Sequence, residues 1–306
     1  MSIALVTGTN GYTGSYLAQR LLAAGDHVRT LTRDPGSVAP PTEAYAYDFD
    51  PDALAVAFEG VDTFYNTYWV RFARGGTTHD LAVANSKALV AAAARAGVRR
   101  IVHVSIMNPD LASPYSYHRG KAVVEDAVRA SGMSYAIVRP SVLFGGSEVL
   151  LSNVAWLLRR LHAFAVPGDG CYPIRPTHVE DLADLMVELG AGDEDTVRNA
   201  GGPETFEFGA LVRMIRDAIG ARALVHEAPR ALVLPLTRLV GLVTGDVTIH
   251  REELDALMAG LASCDGPAAG DRSYTQFLSA VAADYGRSYV NEVGRNFATA
   301  RPPVGV

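Results

Sequence analysis

Cysteine is scarce. Only Cys171 and Cys264 occur, far apart and outside any Cys-x-x-Cys spacing. Neither a thiol-based zinc centre nor a disulfide framework is indicated. Two lone thiols suit a reducing compartment, so a cytoplasmic location is expected. No block of Lys or Arg stands out, and the formal net charge is −6. The electrostatic footprint of a nucleic-acid binder is therefore missing, and no nucleic acid is expected as partner. Long apolar runs are also absent. The most apolar late stretch, Leu232 to Val243, is broken by Pro235 and Arg238. It falls short of the roughly 20 apolar residues a bilayer span needs, so no membrane span is expected. A buried helix or a lobe surface is expected there instead. The N-terminus enters a strand-like run with no basic region before it, so no signal peptide is expected. The histidines, His103, His118 and His178 among them, show no ligand-like spacing. They read as packing or surface residues, and no metal site is expected. No repeat of 20–50 residues is visible.

What is present is a chain of 306 residues, 49% apolar, long enough to bury a core without staples. Its first 140 residues alternate strand-like and helix-like segments. Strands are expected at Ile3 to Thr7, Val28 to Thr32, Glu43 to Tyr47, Val61 to Asn66, Arg100 to Ser105 and Ser134 to Val138. Helices are expected at Tyr12 to Ala24, Asp52 to Phe58, His79 to Ala96 and Tyr117 to Ser131, with Gly25, Gly97 and Gly132 as stops. Such alternation argues for parallel βαβ units with right-handed crossovers. The expected fold is α/β: a doubly wound parallel-sheet Rossmann fold with a smaller mixed C-terminal lobe. Residues 1–145 would be the dinucleotide-binding core and 146–300 a substrate-side lobe interleaved with it. Residues 301–306 would be a loose tail. In the second half, helices are expected near Val149–Arg160, Asp181–Gly190, Phe208–Gly220 and His250–Ala262. Ser273 and Gln276 fit a capping box.

The first strand runs into Gly8-Thr9-Asn10-Gly11-Tyr12-Thr13-Gly14, a G-x-x-G-x-x-G between strand and helix. Dinucleotide binding needs a tight turn, a backbone bare enough to approach a pyrophosphate, and a helix start whose free N–H groups face the anion. This placement supplies all three. The second strand bears on NAD against NADP. NAD sites usually carry an acid at its end for the ribose 2′-hydroxyl. Here Thr32 holds that position and Arg33 follows, a natural partner for a 2′-phosphate. NADP is therefore expected, with NAD, through Asp34, as the alternative. Asp48, near the end of the third strand, reads either as an adenine contact or as a turn residue.

Ser105 ends the fifth strand, where open α/β sheets place ligands. Twelve residues on comes Tyr117-His118-Arg119-Gly120-Lys121. At about 100° per residue, Tyr117 and Lys121 are offset by roughly 40° and share a helix face, whereas Tyr115 is roughly 240° away. A phenol near its ordinary pKa of about 10 is a poor base at neutral pH. A neighbouring ammonium lowers that pKa, and a serine hydroxyl holds the substrate oxygen.

With these pieces the sequence resembles the short-chain dehydrogenase/reductase superfamily. It also matches at Arg139-Pro140-Ser141, at Pro176-Thr177-His178-Val179-Glu180-Asp181-Leu182-Ala183 and at Gly201-Gly202-Pro203-Glu204. The last two look like the extended and atypical branches, which include nucleotide-sugar epimerases and NmrA-like proteins. The likeness is strongest to the group around the 39 kDa accessory subunit of respiratory complex I. The resemblance implies a Ser105, Tyr117 and Lys121 triad, with Lys121 also on the nicotinamide ribose. It implies Pro140, Ser141 and Val142 bordering the nicotinamide and Asn66 along the cofactor, and Asn85 matches a helix asparagine of many relatives. The leading expectation is an NADP-dependent oxidoreductase acting on a small-molecule carbonyl or alcohol. The alternatives are a non-catalytic dinucleotide-binding sensor or complex subunit, and an epimerase or dehydratase holding NAD. The loop Thr67 to Thr77, with Tyr68, Trp69, Phe72, Arg71 and Arg74, reads either as a substrate cover or as surface packing. The oligomeric state is not legible.

Overall fold

The opening run Ile3–Thr7 (β1) is apolar on both faces, as a central parallel strand must be, and Leu5 and Val6 are fully buried. The computed structural model describes residues 2–46 and 49–296. After β1 come Tyr12–Ala23 (α1), His27–Thr32 (β2), Glu43–Ala46 (β3), Pro51–Phe58 (α2), Thr63–Asn66 (β4), His79–Arg95 (α3), Arg100–Val104 (β5), Ser116–Arg129 (α4) and Ser134–Pro140 (β6). Local chemistry sets these bounds. Asp50 caps α2 ahead of Pro51, and the Thr78 hydroxyl caps α3. Gly25, Gly97 and Gly132 take positive φ just past α1, α3 and α4. β4 starts later than Val61 because Gly60 takes φ +68 and the Val61 N–H still bonds back to Phe58.

The chain continues through Leu143–Phe144 (β7), Leu150–Arg160 (α5), Ala163–Pro167 (β8), Pro173–Ile174 (β9) and Thr177–His178 (β10). Next are Val179–Ala191 (α6), Thr196–Ala200 (β11), Phe206–Glu207 (β12), Phe208–Ala218 (α7), Leu224–Ala228 (β13), Arg230–Thr244 (α8), Arg251–Met258 (α9), Tyr274–Val281 (α10) and Glu292–Asn296 (α11). Two compact units result. One runs to Pro140 and takes back Val179–Ala200; the other takes Ser141–His178 and the chain from Gly201 onward.

The first unit is a seven-stranded sheet in the order β11-β6-β5-β4-β1-β2-β3, every pairing parallel. The order reverses direction between β1 and β4, which is the switch point where such sheets bind ligands. α1 packs on α6, while α3 lies between α2 and α4. Leu5, Leu31, Phe58, Phe64, Leu89, Ile101 and Val124 centre the core. The sheet extends beyond the expected core, because β11 joins β6 in a five-residue ladder that the sequence reading missed.

The second unit holds three two-stranded sheets, β7 with β10, β9 with β12 and β8 with β13, beside α5, α7 and α8–α11. Its core gathers Phe144, Leu151, Ile174, Phe208, Leu211 and Tyr274. α9 stops at Met258, short of Ala262, because Gly260 takes φ +74. The Ser273 hydroxyl accepts from the Gln276 N–H and caps α10. The Leu232–Val243 stretch is helical but turned outward: among the residues of α8 only Val233 is buried. Of the two readings of this stretch, a buried helix or a lobe surface, the exposure fits the second. Tyr47, Asp48 and the expected tail at 301–306 lie outside the described residues.

Candidate cofactor and active site

The glycine loop closes tightly at the carboxyl end of β1. Gly8 takes φ +70, a conformation glycine adopts without strain. The Gly8 N–H reaches the Leu31 carbonyl at 3.0 Å, and Gly11 N–H returns to the Gly8 carbonyl at 2.8 Å. A Cβ at position 14 would lie 2.2 Å from that same carbonyl, and one at Gly11 would lie 3.0 Å from it. Glycine at 14 is therefore a packing necessity. Gly11 is also the N-cap of α1 and offers no side chain to close the helix's first donors. Tyr12 and Thr13 open the helix. The Thr9 N–H bonds to the Thr30 hydroxyl, but the buried Thr9 hydroxyl has no partner among the described residues. Exposed Asn10 donates to Ser37 at 2.9 Å.

The neighbouring strand end carries Asn66, fully buried. Its Oδ1 accepts from the Tyr68 N–H at 3.2 Å, and its Nδ2 has no partner among the described residues. Asn85 donates to the Tyr68 hydroxyl at 3.0 Å. Arg33 is exposed and ion-paired with no described carboxylate. These features fit a dinucleotide: a bare glycine turn in which a Cβ at 11 or 14 would crowd the Gly8 carbonyl, an uncapped helix start, and buried polar atoms on Thr9 and Asn66 with no partner among the described residues.

The second cluster is built on α4. Tyr117 sits half-buried in its first turn, and Lys121 follows one turn on, 2% exposed. The Lys121 ammonium donates to the Val104 carbonyl at 2.7 Å and lies 4.4 Å from the centre of the Trp69 ring. Burial pushes its pKa down to about 7, with Glu125 opposing. Trp69 also meets Tyr117 edge to face at 5.5 Å and stacks on His79 at 6.1 Å. Of the two readings of its loop, the structure thus shows Trp69 packed on the candidate pair. The indole N–H is buried, with no partner among the described residues. The Nδ1 of His79 lies 2.7 Å from the Ser116 hydroxyl.

Glu125, a further turn along α4, is gripped by Arg139 at 2.6 and 2.8 Å and by Arg129 at 2.7 Å. Burial pushes this carboxyl up, but hydrogen bonds from Arg139, Ser105 and Arg129 outweigh it and hold the pKa below the usual carboxylate range. Ser105 is buried at the end of β5. Its hydroxyl lies near enough to contribute to that effect, yet among the described residues it closes no well-aligned hydrogen bond, with Tyr117 or any other. His103 is fully buried, and both ring nitrogens lack partners among the described residues. Burial, then the nearby Lys121, drives its pKa well below the ordinary value.

Tyr117, Lys121 and Trp69 are thus brought together, with Ser105 beside the carbonyl that Lys121 binds. Pro140 ends β6, and its carbonyl accepts from Met107. Ser141 and Val142 belong to the second unit, where the Ser141 hydroxyl donates to the Ala262 carbonyl at 2.5 Å and the Val142 carbonyl accepts from Thr177. Sequence reasoning missed Trp69's contact with the pair and the grip on Glu125. The only signal for the latter is the four-residue spacing of Lys121, Glu125 and Arg129, common on any exposed helix face. Among the described residues, no group of three or more His, Cys, Asp or Glu could hold a metal ion. No described helix is long and apolar enough to cross a membrane.

Residues 8–152 match a family model described as NAD(P)H-binding. The chain is 35% identical to sterol demethylase protein B of Methylococcus capsulatus, over 76% of this chain and 77% of that protein. The chain belongs to the NAD(P)-binding Rossmann family. This Rossmann chain is also 25% identical to the mitochondrial NADH dehydrogenase [ubiquinone] 1 alpha subcomplex subunit 9 of Arabidopsis thaliana. That match covers 76% of this chain but only 60% of the subunit. In fold it is similar to the Citrobacter sp. triphenylmethane reductase, whose structure was solved with NADP(H). The TM-score is 0.72 at 18% identity, covering 92% of this chain and 99% of the reductase. Membership in this family supports a nicotinamide dinucleotide as the cofactor class.

Proposed function

We propose that the chain is an NADP-dependent oxidoreductase of the short-chain dehydrogenase/reductase type, acting on a small carbonyl or alcohol. The observation that supports this most is the Tyr117–Lys121 face of α4, set beside Ser105 at the end of β5. It lies in the same sheet unit as a glycine cradle fit for a dinucleotide. The backbone from Gly8 to Gly14 would hold the pyrophosphate, Arg33 the 2′-phosphate, and Asn66, Lys121 and Pro140 the rest. Bound there, the dinucleotide supplies or accepts a hydride. Tyr117 moves the accompanying proton at its phenolic oxygen, and the Ser105 hydroxyl holds the reacting oxygen in place. Lys121 in its ammonium form favours the phenolate. Because burial holds Lys121 near 7, this help fades as the pH rises past that point.

Tyr117→Phe keeps the ring packing and deletes only the hydroxyl. It should leave dinucleotide binding intact and cut turnover by roughly 10²–10⁴. The measurement is oxidation of reduced dinucleotide across a carbonyl panel. A Tyr117→Phe variant that turns over a found substrate at the wild-type rate sinks the assignment. One observation favours a second reading, a dinucleotide-binding protein without turnover. The Lys121 ammonium is already spent on Val104 and covered by Trp69. Tight binding with no hydride transfer on any carbonyl or alcohol would decide for it.

A further inference from the structure

The proton machinery leaves α8 unexplained. Leu232, Leu236, Leu239 and Val243 are 60, 52, 60 and 80% exposed, and Leu242 beside them is 82% exposed. Their spacings of four, three and four keep the first set within about 60° of arc, and Leu242 widens the stripe to about 120°. The helix is held from the other side: Val233 is buried, and Leu234 and Val240 are half-buried. Soluble proteins rarely turn so continuous an apolar stripe to water, and such patches mark contact surfaces.

The charge pattern narrows the partner. No carboxylate occurs from Arg230 to Gly245. Arg230 is paired with Asp255. Arg238 is exposed on the flank of the stripe and ion-paired with no described carboxylate. The stripe offers on the order of 500 Å² of apolar surface. A narrow apolar stripe flanked by an arginine and free of acids matches a helix lying in the headgroup region of a bilayer.

We propose that α8 seats the chain on an anionic phospholipid surface, with the leucine stripe entering the acyl boundary and Arg238 meeting the lipid phosphates. The test is flotation of the full chain with phosphatidylcholine vesicles, with and without phosphatidylglycerol. Wild type should float with the anionic vesicles, and added salt should weaken this. Leu236→Glu with Leu239→Glu should lower the bound fraction at least about ten-fold, with the circular dichroism unchanged. Arg238→Glu, which disturbs no packed side chain, should weaken binding about five-fold, and only on the anionic vesicles. Failure of wild type to float, or flotation unmoved by these variants, would overturn the proposal. So would a wild-type dimer that the double variant turns into a monomer, since the stripe would then be a contact between copies. The proposal stands whether or not Tyr117 proves catalytic.

Discussion

The two units hold their backbones by different means. In the first, successive elements satisfy each other: seven parallel strands share one ladder, and helices cover the sheet. In the second, ladders are two-stranded, and buried or half-buried side chains supply the missing bonds. Arg175 donates to the carbonyls of Gly202, Cys264 and Gly266. Arg159 reaches Ala282, Ala283 and Tyr285. Asn153 exchanges two bonds with the Val290 backbone, and Asp246 accepts from the N–H groups of Glu292 and Val293. Even the first unit uses this device where the chain returns from far away. Arg100 binds the carbonyls of Leu189 and Glu194, together with Ser134, and so fastens the α6–β11 segment. Neighbours in sequence are joined by ladders; segments arriving late are pinned by long polar side chains, because every buried carbonyl still needs a donor.

The largest effect should come from breaking a clamp that has no ladder behind it. Arg175→Met leaves three carbonyls without their donor and should destabilise by about 3–5 kcal/mol. Arg100→Met should cost less, about 2–3 kcal/mol, because β11 keeps its five-residue ladder with β6. The two tryptophans fall one in each unit, Trp69 and Trp156, so denaturant unfolding followed in Trp69→Phe and Trp156→Phe backgrounds reads each unit by its own probe. A larger loss for Arg100→Met would break the comparison.

A buried charge should distinguish the first unit next. The folded pKa of Lys121, about 7, lies below its ordinary 10.5. Between those values the unfolded chain holds a proton that the folded chain has lost. Stability should therefore rise with pH across that window, by up to about 1.4 kcal/mol per unit, and level off below 7 where both states hold the proton. Lys121→Met should flatten the slope in the Trp69 signal. An unchanged slope would mean that Lys121 is not the titrating group.

The smallest effect belongs to an exposed side chain. Arg33→Ala should remove a preference for NADP over NAD of about 1.5–3 kcal/mol, leaving stability unchanged. Titration of both dinucleotides with both proteins checks it. Equal affinity in wild type, or a preference that survives the substitution, would leave Arg33 as surface only.

Legibility followed the same division. The βαβ alternation up to Pro140 could be read because each strand and helix carries its own period and its own stop. β11 could not: Thr196–Ala200 is short, part-exposed and lies 56 residues past the end of β6, so nothing local says which edge it joins. The two-residue strands of the second unit exist only by virtue of their partners. At α8 the sequence left a buried helix and a lobe surface both open, since an apolar pattern says that a face seeks cover without saying what provides it.

By itself the sequence determined the glycine loop, with its strand before and helix after, and the shared face of Tyr117 and Lys121. Both rest on backbone geometry repeated over a few residues, which spacing alone specifies. Only the tertiary structure decided that Trp69 packs on that pair, that Arg139 and Arg129 capture Glu125, and that burial brings the Lys121 pKa to about 7. Those outcomes depend on groups distant in the chain meeting where water has been removed. Charge and proton affinity are set by such surroundings rather than by residue type.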